Sequence, residues 1–265
     1  MSSDAIRLEI SGGVARITMA RPEKHNAFDD VLIADLTDAF ERAGTDDAVR
    51  VVVLEAEGKS FSAGADLGWM ERMADYFEAE NLADARKLAH MVRVLNELPR
   101  PTIARVQGAA FGGGVGLVAA CDIALASHAA SFCLSEARLG LIPSVISPYV
   151  VEAIGARAAR RYFQTAERFD AEQAQALGLV HEVVPRERLD SRLAELVGHL
   201  LDNGPAAMAA SKDLIRRVAS GPVDDAMVED TARRIADIRT TAEGREGLRA
   251  FLEKRGPKWR TTTEA

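Results

Sequence analysis

The run Val51-Val52-Val53-Leu54 constrains this chain more than any other feature. Consecutive apolar residues without polar alternation read as a strand buried on both faces, the mark of a parallel sheet covered on both sides. Parallel strands need crossover segments, and the flanking sequence supplies them. Ile6, Leu8 and Ile10 alternate with Arg7 and Glu9. After Ser11-Gly12-Gly13 the stretch from Val14 to Met19 alternates again, which predicts a β-hairpin. Asp29 and Asp30 are placed to cap a helix whose apolar positions Leu32, Ile33, Leu36, Ala39 and Phe40 recur at helical spacing and stop near Gly44. Beyond the run come a helix around 82–98, a strand at 102–106, a helix over 113–120 and a strand at 123–125. Strand and helix alternate, so the expected class is α/β.

The strand pattern ends near Leu189. Asn203-Gly204-Pro205 opens a helix with Met208, Leu214 and Ile215 on one side, and two charged amphipathic stretches follow at 224–238 and 243–254. Such a tail packs either on its own domain or on a neighbouring subunit. The expected division is a core over 1–198 and a C-terminal helical region over 199–265.

Charge and apolar content exclude some partners. The 40 Asp and Glu against 33 Lys and Arg leave a net charge of -7, which disfavours a phosphate-binding nucleic-acid surface. The most apolar stretch, residues 111–121, is glycine-rich and well short of the ~20 residues that span a bilayer, so no membrane contact is expected. The N-terminus lacks a secretory pattern, and the two cysteines, Cys121 and Cys133, lie in apolar surroundings that suit reduced thiols. A cytoplasmic location is the expectation.

Three segments are candidates for chemistry. Gly112-Gly113-Gly114-Val115-Gly116 lies between a strand and an apolar helix, yet it fits neither a dinucleotide fingerprint nor a P-loop. It reads either as a helix start with bare amide donors for an anion or as close helix-on-sheet packing. Phe61-Ser62-Ala63-Gly64-Ala65-Asp66-Leu67 is a second small-residue loop able to present amides. Glu136 lies among apolar residues; it is a surface carboxylate or, if buried, one whose raised pKa lets it move protons near neutral pH. No histidine pair has metal-ligand spacing and no nucleophile motif occurs, so neither a metal site nor a covalent nucleophile is expected; a separate cofactor is not expected either.

Four ordered motifs carry a resemblance over nearly the whole chain: Arg21-Pro22-Glu23-Lys24-His25-Asn26-Ala27, the Phe61–Leu67 loop, Gln107-Gly108-Ala109-Ala110-Phe111-Gly112-Gly113-Gly114, and Leu139-Gly140-Leu141-Ile142-Pro143. Together they resemble the crotonase superfamily, the enoyl-CoA hydratase/isomerase group. The resemblance implies a spiral of ββα turns with a C-terminal helical trimerisation region, giving a homotrimer or homohexamer. It implies an acyl-CoA substrate, with coenzyme A entering as part of the substrate. By the same resemblance the amides of Ala63 and Gly113 form an oxyanion hole and Glu136 is catalytic. Lys24, His25, Ala27, Ala65, Asp66 and Leu67 hold the CoA, joined by Phe251 and Lys254 from the tail.

Hydratases of the group generally carry two catalytic glutamates; Glu136 matches the second, while Gly116 stands in the place of the first. A closer similarity runs through Phe111 to Leu117, Phe132 to Glu136 and Ile142 to Pro148. It is to bacterial 3-methylglutaconyl-CoA hydratases of leucine breakdown and to isohexenylglutaconyl-CoA hydratases of acyclic terpene degradation. Hydration of 3-methylglutaconyl-CoA, or dehydration in reverse, is the expected reaction. A single glutamate also permits Δ3-Δ2-enoyl-CoA isomerisation. Arg72, Lys59 and the tail of an adjoining subunit are candidates to meet a distal substrate carboxylate.

Overall fold

The computed structural model describes residues 5–219 and 221–260; the outer ends of the two expected spans, 1–4 and 261–265, lie outside them. The alternating hairpin forms as β1 (Ile6–Ser11) and β2 (Val14–Met19), paired antiparallel. Asp29 then caps α1 (Asp30–Thr45), its side chain accepting from the Leu32 amide. Three further turns repeat a two-strand plan: β3 (Val51–Ala56) and β4 (Ser60–Ser62), with α2 (Leu67–Ala74) and α3 (Glu78–Glu97); β5 (Thr102–Val106) and β6 (Ala109–Phe111), with α4 (Gly113–Ala120); and β7 (Ile123–Ser127) and β8 (Ser131–Cys133), with α5 (Ser147–Thr165). The chain continues through β9 (Phe169–Asp170), α6 (Ala171–Leu177), β10 (Glu182–Val184) and α7 (Leu189–Leu201), and ends in α8 (Pro205–Ala219), α9 (Asp225–Thr240) and α10 (Ala242–Leu252).

The middle turns each give one strand to each of two sheets. One sheet runs β1-β2-β3-β5-β7-β10 and the other β4-β6-β8-β9, parallel except at β1/β2 and β8/β9. This is the expected spiral, and it explains the apolar run. Val52 and Leu54 face the main core, whereas Val51 and Val53 pack with Ile103 and Leu125 under Leu189, Leu193 and Val197 of α7. Burying each such Leu or Val contributes about 1.5–3 kcal/mol. The division placed between 198 and 199 falls inside α7, which continues to Leu201.

Buried polar groups stitch successive turns at one corner. Ser127 Oγ donates to the Gln107 carbonyl, Gln107 Nε2 donates to the Ser60 carbonyl, and Asn26 Nδ2 donates to the carbonyls of Ser60 and Glu57. The corners stack so tightly that a Cβ on Gly108 would lie 1.9 Å from the Lys59 carbonyl oxygen. Only glycine fits there.

The C-terminal helices are tied to this core by charged side chains. Lys212 Nζ of α8 donates to Asp122 at 2.8 Å, and Glu243 accepts from the amides of Ala206 and Ala207 at the start of α8. Arg50, at the mouth of β3, donates to the carbonyls of Leu201, Asn203 and Trp259 at 2.7–2.9 Å. Replacing Arg50 by methionine leaves these acceptors without their cation. The expected loss is about 2–4 kcal/mol in urea unfolding, and lysine, which lacks the guanidinium fork, should not recover most of it.

Candidate active site

The site is assembled where the first four turns meet. Segment 24–28 runs beside segment 63–67: Lys24 pairs with Asp66 at 3.3 Å, and Phe28 forms a parallel bridge with Ala65. The structure thus brings Lys24, His25, Ala27, Ala65, Asp66 and Leu67 together. His25 and Asn26 both adopt positive φ, 52° and 53°, which throws the chain into this path. The Asn26 side chain, fully buried, accepts from the Arg21 amide and so fixes the turn. Asp66 also has a local task that sequence reading missed. It caps α2, accepting from the amides of Gly68 and Trp69, and turns the expected loop into a helix.

The bridge decides which amide of this loop is free. Phe28 N–H donates to the Gly64 carbonyl at 2.7 Å and its carbonyl accepts from Asp66 N–H at 2.8 Å. Along an extended segment successive groups point to opposite sides, so the N–H of Ala65 points away from Phe28. Ala63 N–H, expected as a donor in the site, instead donates to the His25 carbonyl at 2.9 Å. That expectation is corrected: the available amide is that of Ala65, and Ala63 serves to join the two segments.

The second free amide comes from α4. Gly112, with φ +50°, precedes the helix and offers no side-chain cap, so the Gly113 N–H opens the helix without an intrahelical partner. Phe28 braces this end as well, since a Cβ on Gly113 would lie 2.9 Å from Phe28 Cε2. One buried residue therefore bonds the loop of Ala65 through its backbone and packs on Gly113 through its ring. Loop and helix start also touch, because a Cβ on Gly64 would lie 3.2 Å from the Phe111 carbonyl oxygen.

Glu136 completes the constellation. The Gly112 amide donates to the Cys133 carbonyl at 2.8 Å, which draws the end of β8 against α4. A 3-10 turn over Glu136–Leu139 then reverses the chain, closed by Gly140 at φ 71° and pinned by Arg138 Nη2 on the Ala166 carbonyl at 2.6 Å. The carboxyl comes to rest over Gly112, where a Cβ would lie 3.3 Å from Glu136 Oε1. Its Oε2 is buried with no hydrogen-bond partner. Burial pushes the carboxyl above the usual carboxylate range, with only its own backbone amide acting the other way.

This has a sign for stability. In the pH window between the ordinary carboxylate value and the raised folded value, the folded chain holds the proton and the unfolded chain has lost it. Stability therefore falls as pH rises through that window. Glu136→Gln removes the ionised buried oxygen, so melting at pH 8 should rise by a few degrees. The gain should vanish toward pH 4, as differential scanning calorimetry at both pH values checks.

The remaining expectations are placed as follows. Phe251 stands exposed near the end of α10 and Lys254 just beyond it, and α10 packs on α8 and α9. Arg72 is paired with Asp30, while Lys59 is exposed just before β4. Both cysteines are buried free thiols, and burial pushes Cys121 up to about 12. Among the described residues no helix is long and apolar enough to cross a membrane.

Fold and site define a class: a ββα spiral that presents two backbone amides beside one half-buried carboxyl. A family model described as enoyl-CoA hydratase/isomerase matches residues 9–262. Enoyl-CoA hydratase AKT6-1 of Alternaria alternata is 34% identical over 253 residues, 93% of this chain and 80% of that one. The crystal structure of an enoyl-CoA hydratase from Shewanella pealeana is 47% identical with a TM-score of 0.94, covering 96% of each chain. Pseudomonas aeruginosa AtuE is 36% identical with a TM-score of 0.93, covering 97% of this chain and 100% of that one. The chain belongs to the enoyl-CoA hydratase/isomerase family, and its fold is that of the crotonases.

Proposed function

We propose that this enzyme adds water to a branched enoyl-CoA that carries its own carboxylate, 3-methylglutaconyl-CoA, giving 3-hydroxy-3-methylglutaryl-CoA, or runs the reverse dehydration. The observation that carries the reading is the single partnerless carboxyl oxygen of Glu136, beside Gly112 at the start of α4. The thioester oxygen sits between the amides of Gly113 and Ala65, which stabilise the negative charge that develops there. Protonated Glu136 delivers its proton to the α-carbon. Water adds through oxygen to the β-carbon and returns a proton to the carboxylate, so one H2O is consumed and the glutamic acid is regenerated. Raised basicity suits this double duty, because the acid form persists closer to neutral pH.

The supporting points are the closer sequence similarity of the three motifs around Gly113, Glu136 and Ser144, and the absence of a side chain at Gly116. Segments 24–28 and 63–67 hold the CoA. The same reading makes the C-terminal helices a subunit contact within a trimer or hexamer; Phe251 is 81% and Leu252 77% exposed on α10.

Purified protein with 3-methylglutaconyl-CoA and, separately, crotonyl-CoA provides the test, following loss of enoyl absorbance with products identified by mass. The branched dicarboxylic substrate should react with kcat/KM at least ~10-fold higher. Faster conversion of crotonyl-CoA would remove the proposed substrate. Deuterium exchange at the α-carbon without addition of water to either would point to double-bond isomerisation.

A further inference from the structure

Position 116 explains why the site holds one carboxyl. Gly112, the residue that precedes α4, and Gly116 within it lie one turn apart, the Gly116 amide donating to the Gly112 carbonyl at 3.4 Å. Glu136 lies over the first of them. Over the second lies Ile146, whose Cγ2 is 2.1 Å and whose Cβ is 2.7 Å from where a Cβ on Gly116 would stand. Ile146 is 2% exposed and immediately precedes α5, where its carbonyl accepts from the Val150 amide. Glu136 thus has hydrocarbon as its neighbour along the helix, in the spot from which a side chain of α4 would reach it.

We infer that Ile146 is a specificity-determining residue: seated in the hole left by Gly116, it keeps a second proton-transfer group out of the site and limits the enzyme to substrates that one carboxyl can serve. The inference rests on Glu136 being the proton carrier. Its geometry sets the form of the test. Because the Ile146 Cβ itself lies too close, alanine at 146 does not make room for a side chain at 116, and glycine is required.

Three variants are compared: Gly116→Glu, Ile146→Gly, and the pair. Thermal melting and crotonyl-CoA hydration are read for each. Gly116→Glu alone is expected to melt well below the parent and to gain no hydration. The pair should recover most of that loss and hydrate crotonyl-CoA at least ~10-fold faster than the parent and either single variant. A folded pair with no gain overturns the inference, as does an equal gain from Gly116→Glu alone. If the pair does not fold, Gly116→Ala with and without Ile146→Gly decides the steric part: melting restored by Ile146→Gly supports it, and no restoration overturns it. Glu136→Gln in the parent separates the two readings. Unchanged turnover there removes the role of Glu136, whereas lost turnover there together with no gain in the pair removes only the role of Ile146.

Discussion

Glu136→Gln is expected to lower kcat on the preferred enoyl-CoA by about 10²–10⁴, with KM within a few-fold of the parent, because general acid–base transfer contributes in that range. The amide keeps the shape of the side chain and cannot exchange a proton. The carboxyl touches no charged partner that its loss would release, so binding of the CoA portion through segments 24–28 and 63–67 should persist. The parent enzyme should show a matching pH signature. Each turnover begins and ends with the acid form in both directions, so kcat for hydration and for dehydration falls as pH rises through the raised value. Steady-state kinetics in both directions across pH 5–9 check both the size and the shared sign. Full turnover in the glutamine variant would end the proposed mechanism.

The second large effect concerns a single backbone hydrogen. Replacing Ala65 by lactic acid, through nonsense suppression, exchanges its N–H for an ester oxygen without altering the side chain. Loss of one preorganised donor at a developing oxyanion typically costs ~10²–10³ in kcat, and that is the expected result. The same exchange at Ala63 is the control. Its N–H bonds the His25 carbonyl, so removal should reduce stability while leaving kcat within a few-fold. Equal kinetic losses at both positions would mean that the loop acts only through its shape. The reverse ranking would restore Ala63 as the donor.

These two positions show where local sequence stops informing. Ala63 and Ala65 are the same residue type, two apart, in one small-residue loop, and nothing in the loop itself separates them. Their amides are sorted by the partner strand: pairing with Phe28 aims the bonds of Gly64 and Asp66 one way and that of Ala65 the other. The Asn26, Ser60, Gln107 and Ser127 contacts were equally invisible, because each joins residues at least 20 apart through backbone carbonyls. The short helix α2 escaped because its first turn depends on the Asp66 cap rather than on a long apolar period.

Much else was legible. The Val51–Leu54 run meant burial on both faces, and the structure supplies one face from the core and the other from α7. Asp29 at the start of an apolar 3.6-residue period meant a capped helix, and its side chain accepts from Leu32 N–H. The motifs placed the two glycine-containing loops and Glu136 in one family of sites.

The amino-acid sequence by itself determined the α/β class, the long strands of the first sheet, the helix capped by Asp29 and the family to which the motifs belong, because periodicity, caps and motifs are properties of neighbouring residues. Only the tertiary structure decided that one oxygen of the Glu136 carboxyl is buried without a partner, that Ala65 rather than Ala63 has the free amide, and that Ile146 fills the space over Gly116. Those outcomes depend on which distant segment packs against each group. In a close-packed interior, contact is set by three-dimensional neighbours that local sequence does not name.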